Sequence, residues 1–403
     1  MQTLPRENNK RVFKVIRFIA RLNIGGPAIH TILLTKGLDP ERFQTTLVCG
    51  EPTADEGDMS YYADSHGVEF RVIEGFNRTL NPASDIRAFF AILGIIRTER
   101  PDIIHTHTAK AGTIGRLAAI VAGVPVKIHT FHGHVFKGYF GPLQTKAFLL
   151  IERFLGLFTD RIVTVSESLA REISEKFRIV SGEKMNVIPL GFNLKKFLDI
   201  RDKTGALYEE FGIARQALSV GIVGRLVPIK NHRCFLDAAR ILLSRAPNRA
   251  EMVFFVIGDG ALRPALERYA RAIGIAEQVI FTGWRTDIEA CYRDLDIVVC
   301  SSDNEGTPVS VIEAMASSRA VVATDVGGIR DVITDGVSGI IVPPGNPASL
   351  AEALTGLLTD GAARSRLGAC ARVAVSGRYS SERLINDVET LYHELLIQKG
   401  VQQ

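Results

Sequence analysis

The chain is predicted to be α/β, with two Rossmann-like domains in tandem whose parallel sheets face across a cleft. Three observations predict it. Short β-branched runs alternate with helical patterns from end to end, which is the signature of βαβ units. The strand candidates are largely apolar, which suits strands covered on both faces. The alternation lapses once, at Ile188–Ile200 (IPLGFNLKKFLDI), and then restarts, dividing 403 residues into two α/β domains of ordinary size.

In the first half the predicted strands are Phe13–Ile19, Thr45–Cys49, Phe70–Ile73, Ile103–His107, Val126–Thr130 and Arg161–Val165. A helix is expected from Pro27, a favoured first helical residue, to Gly37. Another is expected to start at Ser84 and Asp85, with Ile86, Phe89, Phe90, Leu93 and Ile96 on its apolar face. The second series reads Ser219–Val223, Met252–Ile257, Val279–Phe281, Ile297–Cys300, Ala320–Thr324 and Ile340–Val342. Helices are expected near 231–245, 262–272, 309–318 and 348–358. After Gly377 a last amphipathic helix runs from Ser380 to Ile397. The domains are therefore placed at 1–193, 194–379 and a terminal helix at 380–403. No solenoid-period repeat or low-complexity tract is present.

Composition is globular, at 46% hydrophobic and 23% charged residues. The most apolar stretch, Ala147–Phe158, is too short for a membrane span and is broken by Glu152 and Arg153. The polar opening MQTLPRENNKR does not read as a secretory signal. Five scattered cysteines (Cys49, Cys234, Cys291, Cys300, Cys370) form no CxxC pair, which points to a reducing, cytoplasmic compartment. Residues 1–200 carry 26 Lys+Arg against 20 Asp+Glu, a net of +6 within a total of +4. Such charge suits an anionic lipid surface or a phosphorylated acceptor, though basic residues adjoin only in pairs and ordinary surface dispersion explains it equally. No nucleic-acid partner is indicated.

Four stretches carry candidate chemistry. The first, Leu22-Asn-Ile-Gly-Gly-Pro-Ala-Ile-His30, joins a strand to a helix. Gly25 and Gly26 let backbone approach a ligand, and the helix start offers N–H groups to phosphate, although a Gly-Gly turn is often only a turn. The spacing is not GxGxxG, so dinucleotide binding is unsupported. Next, Arg225 stands at the carboxyl end of a strand with Lys230 five residues on, two cations placed to neutralise a departing pyrophosphate. The third stretch runs Ser301-Ser-Asp-Asn-Glu-Gly-Thr-Pro-Val-Ser-Val-Ile-Glu-Ala-Met315. There Gly306 permits a turn and Pro308 opens a helix, leaving amides around Thr307, Val309 and Ser310 for phosphate oxygens. Glu305 and Glu313 suit hydroxyl donors such as a ribose and a sugar. Glu313 sits among Val309, Ile312 and Met315, where an unpaired carboxylate is costly.

The fourth is a histidine group: His105, His107, His129, His132 and His134 of nine in all. No cysteine or carboxylate completes a metal-ligand spacing, so most are expected to be core or edge histidines. His132, beside Gly133 at a strand's carboxyl end, is placed in the cleft.

Glu305-Gly-Thr-Pro-Val-Ser-Val-Ile-Glu313 resembles the EX7E motif of retaining glycosyltransferases of family four, which have the GT-B fold. The resemblance covers nearly the whole chain. It includes the early Gly-Gly loop, His105-Thr-His-Thr108 with Lys110, His129-Thr-Phe-His-Gly133, Gly224-Arg-Leu226 with Lys230-Asn231, Gly258-Asp-Gly260, Phe281-Thr-Gly-Trp284 and Val322–Gly328. It implies that Arg225 and Lys230 neutralise the donor pyrophosphate with amides of Gly25–Gly26 and Thr307–Val309. Glu313 is implied to hold the ribose, Glu305 the donor-sugar hydroxyls, and His132 the sugar near the reaction centre. Trp284 and Arg285 lie where the family reads the base. No metal or other cofactor is implied, the nucleotide-sugar being a co-substrate and UDP the expected nucleotide. The final helix is expected to cross back onto the first domain. Asp294-Leu-Asp296 has the look of the metal-binding DxD of the other glycosyltransferase fold, but its place before a buried strand reads as a helix end.

The function expected is thus sugar transfer from a nucleotide-sugar to a lipid-linked or glycan acceptor of surface polysaccharide, at the inner face of the cell membrane. The helix around Phe148–Leu157 and the +6 first half suit a polyprenyl-linked acceptor. Two alternatives share the fold: a non-hydrolysing UDP-N-acetylglucosamine 2-epimerase, and a catalytically silent sugar-nucleotide-binding subunit.

Overall fold

A computed structural model describes residues 11–23, 25–51, 57–77, 79, 81–133, 141–245 and 251–401. His134 lies outside them. The chain divides into two compact units, Met1–Phe192 with Ser381–Gln403, and Asn193–Ser380. Each unit is built on a wholly parallel sheet, so both predicted α/β domains are present.

The first sheet holds β1 (Phe13–Arg21), β2 (Phe43–Gly50), β3 (Phe70–Ile73), β4 (Ile103–His107), β5 (Val126–Phe131), β6 (Arg161–Thr164) and β7 (Met185–Val187), in the order β3-β2-β1-β4-β5-β6-β7. Strand β7 is absent from the sequence reading. It has three residues, all half-buried, and so lacks the continuous apolar run that marks the central strands. The second sheet holds β8 (Leu218–Val223), β9 (Met252–Ile257), β10 (Val279–Gly283), β11 (Ile297–Cys300), β12 (Ala320–Thr324) and β13 (Ile340–Val342), in the order β10-β9-β8-β11-β12-β13.

Strand order reverses between β1 and β4 in one sheet and between β8 and β11 in the other. At such a reversal the connections leave to opposite faces, and a crevice opens at the carboxyl ends of the two strands. The loops after β1, β4, β8 and β11 are therefore where ligand chemistry is expected.

Both faces of each sheet are covered. In the first unit Val15, Ile103, Val126 and Ile128 pack with Leu384, Val388, Leu391 and Leu395 of the terminal helix Ser381–Gln398. The opposite face packs Ile16, Phe18 and Ile104 against helices Pro82–Glu99 and Ala109–Ala122. In the second unit Val220, Phe254, Val256, Val299 and Val322 pack with Phe235, Leu242 and Leu354. Helix 82–99 begins earlier than expected from Ser84. Asn81 caps it, its side chain accepting from the Ala83 and Ser84 amides, with Pro82 opening the helix.

Asp294 does end a helix, Ile288–Asp294, and Asp296 lies just before β11. Asp294 is fully buried and accepts from the amides of Thr204, Gly205 and Leu207 at 2.9 Å. Asp296 accepts from the Ser219 amide and pairs with Lys203 at 2.7 Å. Both carboxylates are committed to structure.

Candidate functional site

In the second unit the loops after β8 and β11 are bound together at the sheet's reversal. Ser301 Oγ donates to the carbonyls of Lys230 (3.1 Å) and Asn231 (3.0 Å). The Asp303 amide donates to the Ile229 carbonyl at 2.9 Å, and Asn231 Nδ2 donates to Asp303 Oδ1 at 2.9 Å. Asn231 adopts a left-handed backbone (φ 45°), a conformation Asn tolerates well.

That weave brings Lys230 and Glu305 together. Lys230 Nζ lies 2.5 Å from Glu305 Oε1, and Ser302 Oγ donates to the same oxygen at 2.6 Å. Cys300 Sγ stands 3.7 Å from it, and burial raises this thiol to about 11, so it stays protonated. The Glu305 carboxylate is buried yet charge-paired, the condition under which a carboxylate survives burial.

The backbone beneath Glu305 is equally constrained. The Gly328 amide donates to the Glu305 carbonyl at 2.9 Å. Gly327 has φ 50°, and a Cβ there would stand 1.8 Å from that carbonyl oxygen. Any side chain at 327 would push Glu305 out of place. On the β8 side a Cβ at Gly258 would stand 2.1 Å from the Gly224 carbonyl oxygen, so glycine there holds the Gly224–Arg225 turn close to the end of β9. Arg225 is exposed at the end of that turn.

Helix Val309–Ala316 begins at Pro308 with no side-chain cap. Its first backbone carbonyl bonds are Val311 and Ile312 to Pro308, both 3.1 Å. The amides of Val309 and Ser310 belong to the first turn, which offers donors and positive potential to an anion. Gly306 and Thr307 lead into it.

Glu313 lies on the same helix. Tyr292 donates to its Oε2 at 3.1 Å and to the Ser310 carbonyl at 3.1 Å, a partner the sequence reading lacked. Burial raises the Glu313 carboxyl to about 7, with Tyr292's hydrogen bond drawing it back in part. An acid whose folded pKa stands above its unfolded value favours the fold below about 4.5, and that advantage is lost as pH rises to about 7. Glu313→Gln is therefore expected to raise the melting temperature over wild type at pH 8 by about 2–4 °C. At pH 5 the two should match. A thermal-denaturation series across pH checks this; a gap that does not vary with pH would refute it.

Trp284 and Arg285 follow β10, just before the helix that carries Tyr292. Trp284 is exposed. Arg285 is already engaged: it donates to both Asp287 oxygens (2.8 and 2.7 Å) and to Glu210 at 2.5 Å, contacts that raise its pKa further. Its guanidinium braces the loop, leaving Trp284 as the freer of the two.

Gly25, Gly26 and His132 belong to the first unit, at the carboxyl ends of β1 and β5. Helix Gly26–Gly37 starts there with Pro27 in its first turn. His132 Nε2 lies 3.2 Å from His107 Nδ1, and the His132 ring packs edge-on to His30 with centroids 4.9 Å apart. Burial lowers His132 to about 3, so it is neutral. Among residues that spacing alone did not single out are Ser302, Thr324, which donates to the Ser302 carbonyl at 2.6 Å, and Gly327–Gly328. The Gly-Gly pair was the one visible signal.

Comparison with known proteins gives a consistent result. Residues 24–196 match the family model "Glycosyltransferase Family 4", and residues 217–360 match "Glycosyl transferases group 1". The chain is 27% identical over 369 residues to a UDP-Gal:alpha-D-GlcNAc-diphosphoundecaprenol alpha-1,3-galactosyltransferase of Escherichia coli, covering 90% of this chain and 92% of the relative. It is 25% identical to the capsular polysaccharide biosynthesis glycosyltransferase CapM of Staphylococcus aureus, over 78% of this chain and 82% of that one. Among solved structures, Anabaena Alr3699/HepE in complex with UDP superposes with a TM-score of 0.81 at 20% identity, covering 94% of this chain and 100% of that chain.

Proposed function

We propose that this chain, a glycosyltransferase of the family-four, group 1 type with the GT-B fold, transfers a hexosyl or N-acetylhexosaminyl residue from a UDP-sugar to a lipid-linked acceptor with retention of configuration. The observation that carries the reading is the charged Glu305–Lys230 pair held beside an uncapped helix start at the reversal of the second sheet. A carboxylate there accepts from sugar hydroxyls. The cations and first-turn amides stabilise a diphosphate that must leave with its charge.

In this reading Glu313 accepts from the ribose hydroxyls, Glu305 from the donor sugar, and Arg225, Lys230 and the amides of Thr307–Val309 carry the diphosphate. Trp284 faces the base. Gly25, Gly26 and His132 serve from the first unit. The bond from the anomeric carbon to the diphosphate oxygen breaks as the acceptor oxygen bonds on the same face, and the acceptor's proton passes to the departing diphosphate. No metal is required at the diphosphate, because its charge is met by side chains and a helix end. A UDP-galactose donor and an undecaprenyl-linked acceptor in the name of the E. coli relative, and UDP bound in HepE, support the choice of co-substrates.

The test is incubation of the purified chain with UDP-, GDP- and ADP-sugars and a diphosphoprenyl-linked sugar. Product whose anomeric proton coupling matches that of the donor supports the reading. Inverted product, or no UDP-sugar turnover, overturns it.

A lipid acceptor also asks for a membrane contact, and helix Pro142–Phe158 is suited to one. Leu143, Leu150 and Leu157 recur every seven residues, the spacing of a buried seam, yet they are 82%, 64% and 72% exposed, with Phe154 beside them. Lys146 is exposed on the same helix. An apolar stripe turned to solvent and edged by positive charge fits a surface of anionic lipid. Leu150→Glu with Leu157→Glu is expected to cut sedimentation with anionic vesicles at least tenfold, losing two apolar anchors and adding repulsion. Unchanged sedimentation would remove this helix from the contact.

A further inference from the structure

Four buried histidines and the part-buried His132 lie side by side in the first unit, and they are not equivalent. His105 is bonded at both nitrogens, to the Tyr392 hydroxyl and the Thr130 hydroxyl, each at 2.7 Å. His129 bonds the Thr106 hydroxyl at 2.9 Å through Nδ1 and leaves Nε2 buried without a partner, but it lies outside the cluster of three that could share an ion. These two are parts of the core. The other three, His30, His107 and His132, are poorly satisfied. His30 is 1% exposed and has no hydrogen-bond partner at either nitrogen among the described residues. His107 Nε2 and His132 Nδ1 are likewise buried without one. An unsatisfied buried polar nitrogen costs about 1–3 kcal/mol, and here such nitrogens gather in one place.

They gather from three elements. His30 comes from helix Gly26–Gly37, His107 ends β4, and His132 follows β5. Ring centroids are 4.9 Å apart for His30–His132, 5.6 Å for His30–His107 and 5.4 Å for His107–His132. One nitrogen of each ring lies within 4.8 Å of the others.

We propose that His30, His107 and His132 bind a divalent transition-metal ion of the zinc class, with the fourth coordination position open. Three imidazoles and an open position are a recurrent zinc ligand set. Two nitrogens on one tetrahedral zinc stand about 3.3 Å apart, from Zn–N distances of about 2.0–2.1 Å. The His107 Nδ1 to His132 Nε2 separation is 3.2 Å. The His30 nitrogen lies within 4.8 Å of both, so binding would have to draw that ring inward. Burial holds all three imidazoles far below the ordinary histidine pKa, so no proton needs to be displaced by the ion. Of the three, His132 is only part-buried.

One neighbour opposes a bare dication. Arg17 is fully buried, one layer deeper on β1, and donates to the Tyr392 hydroxyl at 3.3 Å. Its charge favours an ion that keeps an anionic fourth ligand, hydroxide or a phosphate oxygen. The inference does not rest on the donor-site reading. The ion would share His132 with that reading and no residue given to the diphosphate.

The test reads the metal directly. Chelator-stripped full-length chain is titrated with Zn(II) and with Co(II), and bound metal, the cobalt visible spectrum and the melting temperature are recorded. Expected are one equivalent per chain, the intense visible bands of tetrahedral cobalt, and a rise in melting temperature on loading. His30→Leu puts an apolar side chain where an imidazole has no partner. It is expected to melt no lower than stripped wild type while losing the cobalt bands and the metal-induced rise. If that variant fails to accumulate, His132→Asn, at the part-buried edge, should lose the same bands. Substoichiometric uptake by wild type, or uptake undiminished in the variants, overturns the proposal; the latter places the metal on other groups such as the thiols.

Discussion

Lys230→Ala is expected to lower kcat/KM for the sugar donor by about 10²- to 10³-fold, the usual loss when one charge-stabilising donor is removed from a transfer site. The structure makes the argument more specific than a missing cation. Lys230 Nζ and Ser302 Oγ both meet Glu305 Oε1. With the lysine gone, a buried carboxylate keeps only the Ser302 hydroxyl and, at 3.7 Å, the Cys300 thiol, and its charge is left unbalanced. A carboxylate that has lost its cation is also no longer held in place for sugar hydroxyls. The two residues should therefore fail as a unit: Lys230→Ala with Glu305→Gln should cost clearly less than the two single losses combined. Steady-state kinetics on the four proteins measure the coupling. Strict additivity would show that the pair is not shared by one function.

Glu152→Leu is expected to destabilise the first unit by about 3–5 kcal/mol, lowering its melting temperature by about 10 °C. Arg116 on helix Ala109–Ala122 is fully buried and donates to both Glu152 oxygens (2.8 and 2.6 Å), with Nε on the Gly112 carbonyl at 2.8 Å. Removing the carboxylate strands a guanidinium in the core. Removing both charges does not: Arg116→Met with Glu152→Leu should recover most of the loss. Calorimetry of the two variants decides it. A single mutant as stable as the double would mean that Arg116 finds another anion.

That pair also explains why helix 142–158 misleads a reader of sequence. Its leucines at 143, 150 and 157 have core spacing, while the residues that face inward are Glu152, Leu155 and Gly156. Amphipathic period locates an apolar face but not the direction in which it points, because direction is set by a partner on another helix. Elsewhere local pattern sufficed. β9, β11, β12 and β13 fall where runs of apolar residues put them, since strands covered on both faces leave little choice of residue. The loops that close on Glu305 were visible through Pro308, Gly306 and the Gly327–Gly328 pair. The partners were not. That Glu313 meets Tyr292, that Arg285 is occupied by Glu210 and Asp287, and that His105 is satisfied while His30 is not, all depend on side chains far apart in the chain.

The terminal helix Ser381–Gln398 supplies Leu384, Val388, Leu391, Tyr392 and Leu395 to a core shared with β1, β2, β4, β5, β6 and helix Gly26–Gly37. Made on a ribosome, those strands emerge early and wait, one apolar face bare, while the 188 residues from Asn193 to Ser380 are synthesised and fold as a unit of their own. The first unit begun is thus the last one finished. Until helix 381–398 has cleared the exit tunnel, the nascent chain exposes an apolar sheet face of the kind that chaperones hold. A nonsense codon near residue 380, sparing every residue assigned to sugar transfer, should leave a chain that cannot complete its first domain.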